Sequence, residues 1–183
     1  MPRITALNSS TASAAAKSLL EATHAKIGMV PNLYSTLAHS PAALTGYLQQ
    51  TEALSGGVLA PTLREQLALV TAGVNGCDYC ASAHTLMGKG AGLSAAETDK
   101  NLSGLATDAK AQAALDFAKA ILQSRGHVTD GQLQSVRGAG FSEAEIVEIV
   151  AHVAVNTLTN YLNNVAETVI DFPRVRTTRS QAA

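Results

Sequence analysis

From Thr62 to about Val74 the chain reads Thr-Leu-Arg-Glu-Gln-Leu-Ala-Leu-Val-Thr-Ala-Gly-Val. Wound as a helix, this segment is apolar on nearly every side, and a helix of that kind has to be buried. Other elements must therefore wrap it. They too read as helices: no segment sustains the period-two alternation of a strand, so the expected fold class is all-α. Aromatic residues make up 4% of the chain, tryptophan is absent and alanine is abundant. That composition suits closely packed helices better than a β-sandwich.

The punctuation divides the rest. Ala12 to Lys26 forms an apolar stripe that ends at Gly28, and Val30-Pro31 restarts the chain because the residue before a proline leaves the α region. Asn32 to Ala38 is a short helical segment. Ser40-Pro41 supplies a cap and a first-turn proline for a helix reaching about Leu54, stopped by Ser55-Gly56-Gly57. Pro61 and Thr62 open the apolar helix, Asn75-Gly76 breaks it, and the next helix begins at the cysteines and runs to about Lys89. Ser94 with Glu97, and Ser142 with Glu145, have capping-box spacing. Each follows Gly-Leu or Gly-Phe, a faint echo of a repeated helical hairpin. Further helices are expected from Asp108 to Gln123, from about Asp130 to Arg137, and from Glu143 to about Val165. Residues 1–11 read as an extended arm. Asp171-Phe172-Pro173 and the basic tail read as an extension packed on a neighbouring subunit at Phe172.

At 183 residues the chain fits a single domain with its core at about 27–173. Hydrophobic residues form 46% and charged residues 15%, too apolar for disorder and poor enough in charge to expect buried subunit interfaces. A net charge of -1 gives no electrostatic case for nucleic acid or an anionic membrane. The first 25 residues lack an apolar run followed by a cleavage site, and no stretch approaches the roughly 18 apolar residues of a membrane span. The expected setting is cytoplasmic, where a lone Cys-x-x-Cys pair is redox-active or metal-binding more often than a structural staple.

Both cysteines of the chain, Cys77 and Cys80, form such a pair, with His84 four residues on and Glu65 twelve before. On one helix Cys77, Cys80 and His84 share a stripe. Cys77 is expected in the first turn, where the helix dipole would make it the more acidic thiol. Glu65 reaches the pair only if Asn75-Gly76 lets the chain fold back. Each residue also has a plainer reading. Glu65 has the spacing of a capping box with Thr62, although a carboxylate in so apolar a helix must be paired or protonated. Cys77, Cys80 and His84 could hold zinc with His152 as fourth ligand. His152, Asn156, Asn160, Asn163 and Asn164 read as a polar seam hydrogen-bonded across a helix or subunit interface. The sharper alternative places His152 or Asn156 in an active-pocket wall. His24, His39 and His127 look like surface or helix-end histidines, and Arg174, Arg176 and Arg179 like a solvated tail.

The spacing Glu65, eleven residues, Cys77-x-x-Cys80, three residues, His84 resembles the signature of the AhpD-like alkylhydroperoxidases of the carboxymuconolactone decarboxylase superfamily. Several other segments resemble its peroxidase-related branch: Gly28 to Leu33, Leu37 to Pro41, Gly140-Phe141-Ser142, Asn160 to Asn163 and Ile170 to Pro173. The resemblance implies an AhpD-like helical bundle assembled as trimers or hexamers. It implies reduction of organic hydroperoxides at the expense of a thiol or dihydrolipoyl-type reductant, with no cofactor or metal. In the family pattern Cys80 attacks the peroxide, Cys77 donates a proton and closes the disulfide, and Glu65 and His84 relay protons. Tyr79 stands where better-studied members can carry a histidine. Two alternatives remain at this point. One is a zinc-binding or redox-sensing helical oligomer without turnover. The other is a carboxymuconolactone-decarboxylase-type lyase, a branch that does not rely on a Cys-x-x-Cys pair.

Overall fold

The computed structural model describes residues 1–8 and 10–177. Among them nine α-helices follow one another: α1 (Ala14–Ile27), α2 (Asn32–Leu37), α3 (Pro41–Ser55), α4 (Pro61–Asn75), α5 (Asp78–Gly90), α6 (Ala95–Leu102), α7 (Ala109–Ser124), α8 (Asp130–Gly138) and α9 (Glu143–Ala166). No strand occurs among the described residues, as the missing alternation predicts. None of the helices is long and apolar enough to cross a membrane.

Polar caps set the starts. Ser13, Ser40, Ser94, Asp108 and Ser142 each accept a hydrogen bond from the backbone N–H three residues on, satisfying a donor that the first turn leaves unpaired. Ser142 and Glu145 close a full capping box, and so do Thr129 and Gln132. At Ser94 only half the box forms, because the Glu97 carboxylate turns instead to Thr107 and Asn101.

Helix α4 is the axis. It packs on α5, α6, α7 and α9, and Leu67, Leu69, Val70 and Ala72 are wholly buried. Burying each leucine is worth about 1.5–3 kcal/mol. Two cores meet along this helix. One joins Leu67 and Val70 to Leu115 and Phe117 of α7 and Ile149 and Val153 of α9. The other gathers Ala72, the cysteine segment and apolar side chains of α1, α2 and α3 such as Leu20, Leu33 and Leu44. Contact with α6 is tight at Gly73, where a Cβ would lie 1.9 Å from the Leu102 carbonyl oxygen. Gly73→Ala is expected to cost about 1–3 kcal/mol, a melting shift of roughly 2–12 °C for a domain of this size. Calorimetry showing an unchanged melting temperature would contradict that packing.

Within the chain the C-terminal extension packs at Phe172. That ring meets Tyr79 of its own chain edge-on, with centroids 5.6 Å apart and planes at 87°. The Asp171 carboxylate accepts from the Asn32 backbone N–H at 2.7 Å. Val175 N–H donates to Ser82 Oγ at 2.9 Å, and Thr177 donates through backbone and hydroxyl to Asp78. Residues 171–177 thus strap the start of α5 to α2. Phe172, expected against a neighbouring subunit, has an aromatic contact within the chain at Tyr79. Arg174 and Arg176 are exposed, and Arg179 lies outside the described residues.

Candidate active site

Folding back of the chain begins at Gly76, whose φ of 66° lies in the left-handed region that glycine adopts without a Cβ penalty. Cys77 N–H then donates to the Ala72 carbonyl at 3.0 Å, and α5 returns alongside α4. Near the far end of this hairpin Gly88 approaches Glu65, its absent Cβ being 3.7 Å from the Glu65 Cβ. The nineteen residues between Glu65 and His84 are thereby closed to a contact. Glu65 Oε2 lies 2.8 Å from His84 Nδ1, the two side chains being 20% and 19% exposed. The capping-box alternative for Glu65 does not form: α4 starts on Ala60 and Pro61 with no side-chain cap, and the carboxylate is turned to the histidine.

Cys77 is not inside the first turn. It is the N-cap of α5, in extended conformation, and its Sγ accepts from Cys80 N–H at 3.4 Å. Both thiols are free and buried, Cys77 at 0% and Cys80 at 2% exposure. Cys80 Sγ receives Asn163 Nδ2 at 3.3 Å, and Thr159 Oγ1 stands 3.9 Å away. Two more bonds brace α9 against the cysteine turn: Asn75 donates to Asn160 Oδ1 at 3.0 Å, and Asn164 donates to the Asn75 carbonyl at 3.0 Å.

Electrostatics reverse the expected order of acidity. The Cys77 hydrogen bond, acting against burial and aided by the charge of His84 and the amides of Asn163 and Asn160, pushes the Cys80 thiol down to about 6. Cys77 is pushed up by that same hydrogen bond, then by burial and the charge on Cys80. The dipole argument had favoured Cys77 because it placed that residue within the helix; as a cap it supplies a proton rather than losing one. Burial opposes a charged His84, but the charge and hydrogen bond of Glu65, with Cys80, outweigh it and leave the imidazole more basic than usual. A lowered thiol pKa means that the thiolate persists at pH values where an ordinary cysteine, at about 8.5, is protonated. Iodoacetamide alkylation of Cys80 should therefore rise with pH through about 6 and level off above it. In Cys77→Ala the midpoint should move upward. A wild-type midpoint near 8.5 would refute the arrangement.

Tyr79 is engaged by α2. Its hydroxyl accepts from Leu33 N–H at 3.1 Å, so it locks α2 to α5. His152 and Asn156, read either as a seam across an interface or as part of a pocket wall, line a cavity of about 250 Å³ with Glu65, His84, Tyr34 and Tyr47. A second cavity, about 750 Å³, is lined by Cys77, Asn164, Thr168, Phe172 and Arg174; of the two, it is the one with a cysteine in its wall. Among the described residues no three His, Cys, Asp or Glu side chains are grouped to hold a metal, and His84 is engaged by Glu65 rather than by the cysteines and His152 together. His24, His39 and His127 are exposed. Thr159 escaped the sequence reading. Its place one turn before Asn163, on the polar side of α9, was the available signal.

Residues 39–124 match the model of the carboxymuconolactone decarboxylase family. No curated protein matches the chain significantly. Among solved structures it is similar to an alkylhydroperoxidase AhpD core, an uncharacterized peroxidase-related protein from Ralstonia eutropha JMP134. The TM-score there is 0.83 and the identity 23%, over 93% of this chain and 92% of that one. A peroxidase-related protein from Silicibacter sp. TM1040 gives a TM-score of 0.77 and 22% identity, covering 91% of each chain. The debrominase Bmp8, in a cysteine-to-alanine variant complexed with 2,3,4-tribromopyrrole, gives 0.75 and 18%, over 92% of this chain and 91% of that one. At these identities the likeness is one of fold.

Proposed function

Because residues 39–124 match the model of the carboxymuconolactone decarboxylase family, and because the chain carries an acidic thiol beside a second thiol and a carboxylate–imidazole pair, we propose that it is a thiol-dependent reductase of organic hydroperoxides. Cys80 thiolate attacks the terminal oxygen of R–O–O–H. The O–O bond breaks, Cys80 is oxidised to the sulfenic acid, and the alkoxide leaves with a proton from the His84 imidazolium, which Glu65 supports. Cys77 then attacks the Cys80 sulfur, an S–S bond forms, and hydroxide leaves as water with the Cys77 proton. A dithiol such as dihydrolipoamide exchanges into this disulfide, is itself oxidised, and returns both cysteines as thiols. The observation that carries the reading is Cys80 Sγ held by Asn163 at 3.3 Å, beside a Cys77 sulfur that caps the same turn.

The test is consumption of cumene hydroperoxide by purified protein with dihydrolipoamide. Turnover is expected. Stoichiometric zinc with unreactive thiols, or carboxymuconolactone decarboxylation that survives loss of both cysteines, would replace this reading with another. A second reading is favoured by the fold likeness to a debrominase and by the aromatic wall of Tyr34 and Tyr47, whose rings meet edge-on at 5.5 Å. In it the dithiol reduces a carbon–bromine bond of a small ring to carbon–hydrogen, is itself oxidised to the Cys77–Cys80 disulfide and releases bromide; bromide release from 2,3,4-tribromopyrrole would establish it.

We also propose that the protein is a homo-oligomer. Val147, Val150, Ala154, Leu158, Tyr161 and Val165 are all exposed. Spaced three or four apart, they make an apolar stripe along α9 opposite its polar face, and a monomer gains nothing by showing it to water. Leu158→Arg with Tyr161→Glu should yield monomers by light scattering while the helical circular-dichroism signal is kept. Wild-type protein that is already monomeric would end this proposal.

A further inference from the structure

His152 is the histidine of the cavity wall that the proposed chemistry leaves idle. It is 8% exposed, and its Nε2 is buried with no hydrogen-bond partner among the described residues. Its charged neighbours all have employment. Arg64 donates from Nη1 to the Leu54 carbonyl at 3.1 Å and to that of Ser55. The Glu148 carboxylate accepts from the backbone N–H groups of Val58 and Leu59 at 2.9–3.1 Å. Glu65 and His84 hold each other at 2.8 Å. Burial first, then the charges of Arg64 and His84, outweigh Glu148 and Glu65 and keep the His152 imidazole neutral. It therefore offers one donor and one acceptor nitrogen. A buried polar atom left unpaired costs free energy that a ligand can return, and this one belongs to the same cavity as the Glu65–His84 pair.

Resting on the peroxidase reading, we propose that His152 is a catalytic residue that hydrogen-bonds the departing oxygen of the substrate, and that this cavity takes a compact, uncharged organic hydroperoxide. A neutral N–H aimed at the oxygen that becomes RO⁻ stabilises charge only as the O–O bond opens, which lowers the barrier without tightening ground-state binding. The proton still comes from His84, and no further oxidant or reductant is needed. The substrate class follows from the walls. Tyr34, Tyr47, Leu54, Met87 and Val155 are mainly apolar, and the Arg64 guanidinium is already bonded to two carbonyls. The volume, about 250 Å³, is below the ~300–1,000 Å³ of drug-sized sites. A cumene-sized body fits that description; a fatty-acyl chain with its carboxylate does not.

The test separates the oxidative half-reaction from the rest. Pre-reduced full-length wild type, His152→Leu and His152→Gln are mixed with cumene hydroperoxide or linoleic acid hydroperoxide in single turnovers, and thiol loss is followed. Iodoacetamide alkylation of Cys80 is measured alongside as a readout of thiolate chemistry. His152→Leu should slow oxidation by roughly a hundredfold. The amide N–H of His152→Gln should recover most of that loss, alkylation should be unchanged in both variants, and wild type should prefer cumene hydroperoxide by at least about tenfold. Equal oxidation rates in all three proteins would overturn the assignment. So would alkylation slowed by the same factor as oxidation, which marks a structural role. Wild type that alkylates readily yet ignores both hydroperoxides would instead fail the peroxidase reading, and His152 would lose its assignment with it.

Discussion

Cys80→Ser is expected to abolish hydroperoxide turnover, a loss of about a thousandfold or more, as when an enzyme loses its nucleophile. The hydroxyl of serine titrates far above any working pH, so neither the Asn163 amide nor the His84 charge can draw an anion from it. Cys77→Ser should behave differently. It retains the attacking sulfur, so one equivalent of peroxide is still consumed and a sulfenic acid accumulates on Cys80, where a dimedone adduct can be read by mass spectrometry. Steady-state turnover stops because no second thiol closes the disulfide. Equal turnover in wild type and both variants would remove the cysteines from the chemistry. Trapping on Cys77 in Cys80→Ser, with none on Cys80 in the reciprocal variant, would exchange their roles.

Glu65→Gln should lower turnover by about a hundredfold, in the range of a lost proton-transfer group. The amide keeps the shape of the side chain and can still meet His84 across the 2.8 Å contact. It cannot supply the charge that makes this buried imidazole basic. Burial then wins, and His84 becomes neutral at lower pH. One of the influences holding the Cys80 thiol down weakens as well. The sign is definite: the alkylation midpoint of Cys80 should rise in Glu65→Gln, while the melting temperature changes little because the packing is preserved. Turnover and midpoint both unaltered would show that the pair is a structural contact.

How much of this was legible in the residues differs from place to place. The apolar run from Leu63 to Val74 required a buried helix, and α4 is that helix. Asn75-Gly76 permitted the reversal that carries Glu65 to His84, since a left-handed residue at Gly76 is a local property. What the sequence did not expose was relational. Whether Cys77 lies within α5 or caps it turns on a single residue of phase, and that phase decides which sulfur is the acid. His152 and Asn156 read as a seam because helical spacing shows which residues share a face but not what that face meets. Phe172 found its partner in Tyr79, 93 residues away along the chain and beyond the reach of any local pattern. The packing of residues 171–177 onto α5 likewise rests on Asp78 and Ser82, neither of which stood out beside the cysteines.

The capping duty of Cys77 makes the helix a participant in every cycle. Drawing its sulfur into a bond with Cys80 is expected to pull it off the Cys80 amide that it accepts at 3.4 Å, so that α5 gives up the anchorage at its mouth. Loss of a cap costs about 1 kcal/mol, equivalent to a rise of roughly 20 mV in the two-electron potential. Oxidised protein is thus held slightly uphill, like a latch that prefers to spring shut, and the reductant that comes to reset it meets a bond already inclined to open.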